Sequence, residues 1–72
     1  MRVVISIRLK KILKERNMTQ KELSELTGIR EATISSIARA SKRSISYEYL
    51  VKIANALNIT DINELMTFKK IN

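Results

Sequence analysis

The chain has 72 residues and carries 14 Lys and Arg against 7 Asp and Glu, a formal net charge of +7 at pH 7. It contains no His, no Cys, no Pro and a single Gly. The lack of imidazole and thiol groups excludes a His general base, a Cys nucleophile and a His/Cys zinc site, so catalysis or metal binding would fall to seven carboxylates. We therefore expect a protein that is not an enzyme and uses no cofactor.

Length and apolar content predict one domain over residues 1–72. Ile, Leu, Val and Phe make up 22 of the 72 residues, above the roughly one fifth below which a highly charged chain stays disordered. The apolar run at residues 3–7 is too short for a signal-peptide core or a membrane span. We therefore expect a cytoplasmic protein that does not enter a membrane.

The charge is distributed unevenly along the chain. Residues 1–43 hold eleven basic and four acidic side chains, whereas residues 44–72 hold three of each. Such an asymmetry is expected where a surface meets a polyanion, either nucleic acid or an anionic membrane. The alternative is a solvated basic face that only maintains solubility, and the charge pattern alone leaves both open.

Apolar spacing and capping residues predict an all-α fold of five helices. Their expected ranges are about 7–16, 20–27, 31–39, 47–58 and 61–66. In the first helix, Leu9, Ile12 and Leu13 form one apolar stripe, and Ser6 is the expected N-cap. Ser46 and Thr60 are the expected N-caps of the fourth and fifth helices.

The second helix has clear signals at both ends. Thr19 and Glu22 have the spacing of a capping box, in which each side chain accepts from the backbone amide of the other. Gly28, the only glycine, follows the last helical residue, where a left-handed conformation is common. Leu23 and Leu26 are expected to face inward.

The later helices each present an apolar stripe. The residues expected to face the core are Ile34, Ile37 and Ala38 in the third helix, Leu50, Ile53, Ala54 and Leu57 in the fourth, and Ile62, Leu65 and Met66 in the fifth. The terminal segments 2–5 and 66–69 are rich in β-prone residues. They are expected either to form a short two-stranded ribbon, within one chain or between two chains, or to fray.

Two short helices joined by a tight turn, inside a basic helical domain, are the pattern of a helix-turn-helix. The residues that carry it are Gln20, Leu23, Ser24, Gly28, Ile29, Ile34 and Ile37, followed by Leu50, Ile53, Ala54, Ala56, Leu57 and Ile59. Together they resemble the Cro-like, XRE-type family of phage and bacterial repressors, over about residues 6–66. The resemblance implies a five-helix phage-repressor-like DNA-binding domain with helix 31–39 in the major groove.

Some positions have a structural role or depart from the family pattern. Leu23, Leu26, Ile34 and Ile37 are expected to form the wedge between the two helices. Ser24 stands where the family usually has Ala, and its hydroxyl is expected to bond a backbone carbonyl of the preceding turn. Arg30 stands where the family favours a Ser or Thr cap, and it cannot accept an amide hydrogen bond.

The outward face of the third helix is the expected base reader. With Ile34 pointing inward and about 100° per residue, Ala32, Ser36 and Arg39 fall on the opposite side. The residues expected to contact bases are Arg30, Glu31, Ala32, Ser35 and Ser36. The alternatives are that Arg30 contacts a phosphate and that Glu31 only stabilises the helix dipole.

A second set of residues is expected to contact phosphates: Gln20, Thr33, Arg39, Ser41, Lys42 and Arg43. Gln20 matches the phosphate-binding Gln of the family at the start of the second helix. The basic side chains after residue 38 would flank the other side of the groove. Lys10, Lys11 and Lys14 are expected to form a solvated face that adds electrostatic steering.

These features predict a sequence-specific regulator that binds double-stranded DNA, most simply a repressor. One such helix reads few base pairs, so we expect a homodimer on a two-fold symmetric operator. The candidate dimer surfaces are the last helix and the residues Val3, Ile5, Met66 and Phe68. We expect no small-molecule ligand.

The main alternative is a DNA-binding antitoxin or anti-repressor that acts through a protein partner. RNA binding is less consistent with the sequence, because RNA readers stack bases on exposed aromatics and this chain has only Tyr47, Tyr49 and Phe68. A membrane-surface role would need the apolar side of the first helix, which the core requires.

Overall fold

The computed structural model describes residues 2–39 and 44–71. Its elements are β1 (Arg2–Ile7), α1 (Leu9–Glu15), α2 (Gln20–Thr27), α3 (Glu31–Ala38), α4 (Tyr47–Leu57), α5 (Ile62–Leu65) and β2 (Met66–Ile71). β1 pairs antiparallel with β2, so a two-stranded ribbon joins the two ends of the described chain. The predicted helical fold is confirmed for the described residues, with the ribbon formed inside one chain.

The core is one cluster of apolar side chains to which every described helix contributes. Its most deeply buried members are Leu9, Leu23, Ile34, Ile53 and Leu57. The others are Ile12, Leu13, Ile29, Ile37, Ala38, Ile59 and Leu65, while Leu50 and Ala54 are half-buried against the cluster. The predicted inward stripes of the first, third and fourth helices are thus confirmed.

Three of the predicted helix-end signals are present. The Thr19 hydroxyl accepts from the Glu22 amide at 3.0 Å, and the Glu22 carboxylate accepts from the Thr19 amide at 3.1 Å. Gly28 ends α2 with φ of +76°, and the Ser46 hydroxyl accepts from the Tyr49 amide at 3.0 Å. These three signals depend on neighbours in sequence, which is why they could be predicted.

The prediction that Ser6 caps a helix starting at residue 7 is wrong. Ser6 and Ile7 lie in β1, where they pair with Thr67 and Met66. The Arg8 amide donates to the Leu65 carbonyl at 2.8 Å, which ties the start of α1 to α5. Because the ribbon takes up the backbone before residue 8, α1 begins only at Leu9 and has no side-chain cap.

The inward prediction for Leu26 is also wrong, because its side chain is 62% exposed. Thr27, one turn after Leu23, takes the buried position on that side of α2. The Thr27 hydroxyl donates to the Leu23 carbonyl at 2.8 Å and accepts from the Ile29 amide at 3.2 Å. With both bonds made, a polar side chain lies in the core without an unsatisfied group.

The fifth helix is one turn long and starts later than predicted. Asp61, rather than Thr60, is its cap, with Oδ1 accepting from the Asn63 amide at 2.9 Å. Ile62 is 58% exposed instead of inward, whereas Leu65 is buried as predicted. Met66 packs against the core from β2, because pairing with Ile7 ends the helix before it.

The ends of the third and fourth helices are each one residue short of the predicted range. α3 ends at Ala38 and α4 at Leu57, followed by Asn58 in the left-handed conformation. The Arg16 guanidinium donates to the carbonyl of Leu57, one of the carbonyls that the end of a helix leaves without an intrahelical partner. This bond joins the carboxyl ends of α1 and α4.

Replacing Thr27 tests the hydrogen bonds at the turn. Thr27→Val keeps the shape but leaves the buried Ile29 amide without its acceptor, which should lower the free energy of unfolding by about 1–3 kcal/mol. Thr27→Ser is the control, because it keeps the hydroxyl and loses one methyl group. Urea unfolding measures both, and a Val variant at least as stable as the Ser variant would contradict the role of the hydroxyl.

Candidate nucleic-acid interface

The turn between α2 and α3 is held by hydrogen bonds between its residues and Ser24 of α2. The Gly28 amide donates to the Ser24 carbonyl at 2.8 Å, and the Ser24 hydroxyl donates to the Ile29 carbonyl. Ser24 therefore bonds the following turn, and the expectation of a bond to the preceding turn was wrong. Since Ile29 is itself 2% exposed, the turn is fixed by both polar and apolar contacts.

The two sides of α3 have opposite environments. Ile34, Ile37 and Ala38 are buried in the core. On the other side, Glu31 and Ala32 are exposed, and the flanking residues Arg30 and Arg39 are exposed as well. Thr33, Ser35 and Ser36 are partly buried at the borders of this face. Because one side of α3 is buried, the five residues expected to contact bases lie on or beside its outward side, near the start and the middle of the helix.

The amino end of α3 has no side-chain cap. Arg30 occupies the N-cap position with φ of −59° and ψ of 141°, and its carbonyl accepts from the Ile34 amide at 3.0 Å. Because the first amides of a helix have no intrahelical acceptor, they carry partial positive charge toward the solvent. Glu31, in the first turn, is the acidic residue that this charge favours.

Ser36 makes a contact inside the helix. Its hydroxyl donates to the Ala32 carbonyl one turn earlier at 3.1 Å. Ala32 and Ser36 therefore lie one above the other on the outward side, and both are short. A groove wall can approach this part of α3 more closely than it could approach long side chains.

Three of the six residues expected at phosphates lie in the described part of the chain, and one of these, Thr33, is partly buried on α3. Gln20 is the first residue of α2, directly after the Thr19 cap, and Arg39 is exposed directly after α3. Gln20 thus lies at the start of α2 and Arg39 at the end of α3. Ser41, Lys42 and Arg43 lie outside the described residues, so their expected contacts remain predictions from the sequence.

Charge near these helices is predominantly positive. Residues 2–39 hold nine Lys and Arg against four Asp and Glu, and none of these forms an ion pair with a described residue. The ion pair of the described chain joins Glu48 to Lys52 on α4 at 3.2 Å. Exposed cations without a carboxylate partner are those that can neutralise phosphates.

The exposed cation at the start of α2 was not among the predicted contacts. Lys21 is the second residue of α2, next to Gln20, and its side chain is exposed. The signal that would have found it is its place in the first turn of the helix, beside the residue matched to phosphate binding. Lys10, Lys11 and Lys14 are exposed on α1, as the solvated face requires.

The chain matches a known protein family. A family model described as helix-turn-helix matches residues 9–65, more than half of the chain. The match begins at the first residue of α1 and ends at the last residue of α5, so both strands of the ribbon lie outside it. No curated protein and no solved structure matches the chain.

Among residues 2–39 and 44–71, no helix is both long enough and apolar enough to cross a lipid bilayer. The longest described helix, α4, has 11 residues, whereas a span needs about 20.

Replacing Arg30 tests the uncapped start of α3. Arg30→Ser supplies a hydroxyl that can accept from the free amides, and it should raise the free energy of unfolding by about 1 kcal/mol. Ser46→Ala is the matched control at the cap of α4, and it should lower stability by a similar amount. Thermal unfolding of the two variants measures both changes, and a destabilised Arg30→Ser variant would contradict the description of this helix end.

Proposed function

The chain belongs to the Cro/XRE-like helix-turn-helix family of DNA-binding regulators, and we propose that it is a sequence-specific transcriptional repressor in the cytoplasm. Residues 1–72 act as a single DNA-binding domain, and α3 is the helix that enters the major groove of double-stranded DNA. The repressor blocks transcription by occupying a promoter.

The exposed face of α3 is the observation that carries this proposal. Its opposite side is packed in the core through Ile34 and Ile37, so the outward face has a fixed orientation relative to α2. The B-DNA major groove is about 12 Å wide and admits an α-helix. The short side chains of Ala32 and Ser36 favour a close fit of the helix in that groove.

Each residue of the base-contacting set has a chemical role. The Arg30 guanidinium donates two hydrogen bonds to guanine O6 and N7, and the Glu31 carboxylate accepts from the amino group of cytosine. Ala32 contacts a thymine methyl group, while the hydroxyls of Ser35 and Ser36 bond whichever base edge lies opposite. Good contacts of this kind are each worth about 1–3 kcal/mol of discrimination.

Phosphate contacts hold the helix in register. Gln20 bonds the strand next to the start of α2, where the backbone amides also favour an anion. Thr33 and Arg39, with Ser41, Lys42 and Arg43, bond phosphates along the edges of the groove. Because these contacts do not read bases, they raise affinity for all sequences alike.

Two copies are needed for a useful operator. One helix contacts only a few base pairs, so the proposed repressor binds as a homodimer to two half-sites about 34 Å apart, one helical turn of DNA. The operator is then two-fold symmetric.

Selection from a random pool of duplexes tests sequence-specific binding. We expect enrichment of a roughly two-fold symmetric sequence. Ala32→Leu should change the preferred bases near its position, because a larger side chain displaces the helix from the groove. Val51→Leu on α4, exposed and outside the motif, is the control and should leave the preference unchanged. An unenriched pool, or an Ala32→Leu variant that is folded and has unchanged preference, would contradict the assignment.

The salt dependence of binding tests the phosphate contacts. Arg39→Ala should weaken binding to all sequences alike and reduce the slope of log affinity against log salt by about 0.9, the contribution of one neutralised phosphate. Lys69→Ala, on the exposed side of β2, is the control and should leave the slope unchanged. Titrations at several salt concentrations measure both slopes. A changed base preference in the Arg39 variant would assign Arg39 to base contact instead.

A further inference from the structure

The ribbon has two faces of different chemistry. Side chains alternate along a strand, so each pair of opposed residues shares one face. One face, which we call the apolar face, consists of the pairs Val3 with Lys70, Ile5 with Phe68, and Ile7 with Met66. The other face consists of Arg2 with Ile71, Val4 with Lys69, and Ser6 with Thr67. Five of the six residues on the apolar face are hydrophobic.

The outer part of the apolar face is not covered by the rest of the described chain. Ile7 and Met66 pack against the core, but Val3 and Ile5 are each 54% exposed and Phe68 is 76% exposed. Ile62 of α5, also mostly exposed, continues the patch. Ile5, Ile62, Met66 and Phe68 line a shallow groove of about 190 Å³. A protruding aromatic ring thus lies beside an apolar groove on one surface.

The ribbon adds to the helical domain without being part of the family match. That match covers residues 9–65, from α1 to α5, and leaves both strands out. A two-stranded ribbon is only marginally stable in water unless it packs against something else. The helices do not cover the apolar surface of its outer half, so packing against another surface would stabilise the ribbon.

We propose that the apolar face joins two copies of this chain face to face, with the two ribbons antiparallel about a two-fold axis. In this arrangement, Phe68 of each copy enters the groove between Ile5 and Ile62 of the other. Such an interface is self-complementary, because each copy supplies the same ring and the same groove. The exposed area of Val3, Ile5, Ile62 and Phe68 is about 500 Å² per copy, so a dimer that covers all of it buries at most about 1,000 Å², near the lower limit for a specific interface.

Charge at the two ends of the ribbon selects the antiparallel arrangement. The tip carries Arg2 and Lys70, of which Lys70 lies on the apolar face. The base adjoins α5 with Asp61 and with Glu64, which lies beside Arg8, and all five side chains are exposed. Antiparallel ribbons place the cationic tip of one copy beside the acidic α5 of the other, whereas parallel ribbons would bring the two cationic tips together. Opposite charges across an interface favour one register and suppress the other.

The apolar face is the surface through which the proposed repressor forms its homodimer, so this interface rests on the proposed function. The association itself is measurable without DNA. Sedimentation equilibrium of the full chain should show a monomer and dimer in exchange, with a dissociation constant on the order of micromolar to tens of micromolar. A chain that remains monomeric up to about 1 mM, where even weak association would be seen, overturns the proposal.

Two matched double variants locate the interface. Ile5→Thr with Phe68→Thr removes the apolar contacts and should raise the dimer dissociation constant about tenfold or more. Val4→Thr with Lys69→Thr changes the neighbouring pair on the other face and should leave it unchanged. Circular dichroism and thermal unfolding establish that each variant is folded. Equal dimerisation in both folded variants overturns the proposal, as does a wild-type monomer that instead binds a different protein through Phe68.

A charge exchange tests the antiparallel arrangement. Lys70→Glu and Glu64→Lys should each weaken the dimer, and the two substitutions combined should restore it, because each tip then again faces an opposite charge. In a parallel dimer, Lys70→Glu would not weaken association, and that result overturns the arrangement.

DNA binding separates this inference from the proposed function. On a duplex with a single half-site, the Ile5→Thr, Phe68→Thr variant should bind like the wild type, and only binding to the two-fold operator should weaken. Unchanged binding of the folded variant to both duplexes counts against the interface. A wild-type chain that dimerises but binds no duplex contradicts the proposed function and leaves the interface supported.

Discussion

The packing of α3 against α2 across the Gly28 turn is the constraint on which the DNA-binding surface depends. α3 has only eight residues and no side-chain cap, so it is too short to be stable as an isolated helix in water. Its orientation comes from burial of Ile34 and Leu23 in one core cluster and from the Thr27 hydroxyl, which bonds both α2 and the turn. The outward face is positioned because the inward face is packed.

The start of α3 combines a cost in stability with a chemical advantage. A Ser or Thr at position 30 would bond the first amides, whereas Arg30 leaves them without a side-chain acceptor. Those amides and the guanidinium attract an anionic duplex, and the carboxylate of Glu31 in the same turn offsets part of their positive charge. Functional sites commonly carry local arrangements that are not the most stable ones. The surplus of positive charge in residues 2–39 then acts over a longer range and attracts any duplex before bases are read.

Features of the fold that are encoded within a few residues could be predicted from the sequence. Features that depend on contacts between residues far apart in the sequence could not. The Thr19 cap and Gly28 turn are encoded within a few residues, and the inward stripe of α3 follows from its period. Leu26 was misassigned because Thr27 competes for the buried position, and a hydroxyl is buried only when it has partners that spacing does not reveal. The sequence left open a ribbon within one chain, a ribbon between two chains, or frayed ends. It could not decide among them, because the pairing of Ile5 with Phe68 joins opposite ends of the chain. Roles in DNA contact came from the family resemblance, because exposure alone does not specify a ligand.

The most direct test of DNA recognition by α3 is an NMR titration of the isotopically labelled protein with its selected duplex. The largest amide shifts are expected in residues 30–36 and at Gln20, with a second, smaller set near Arg39. Residues of the ribbon should shift little on a single half-site duplex, which binds one copy. If the largest shifts instead fall on α1 at Lys10, Lys11 and Lys14 and α3 is unchanged, α3 is not the helix that recognises DNA.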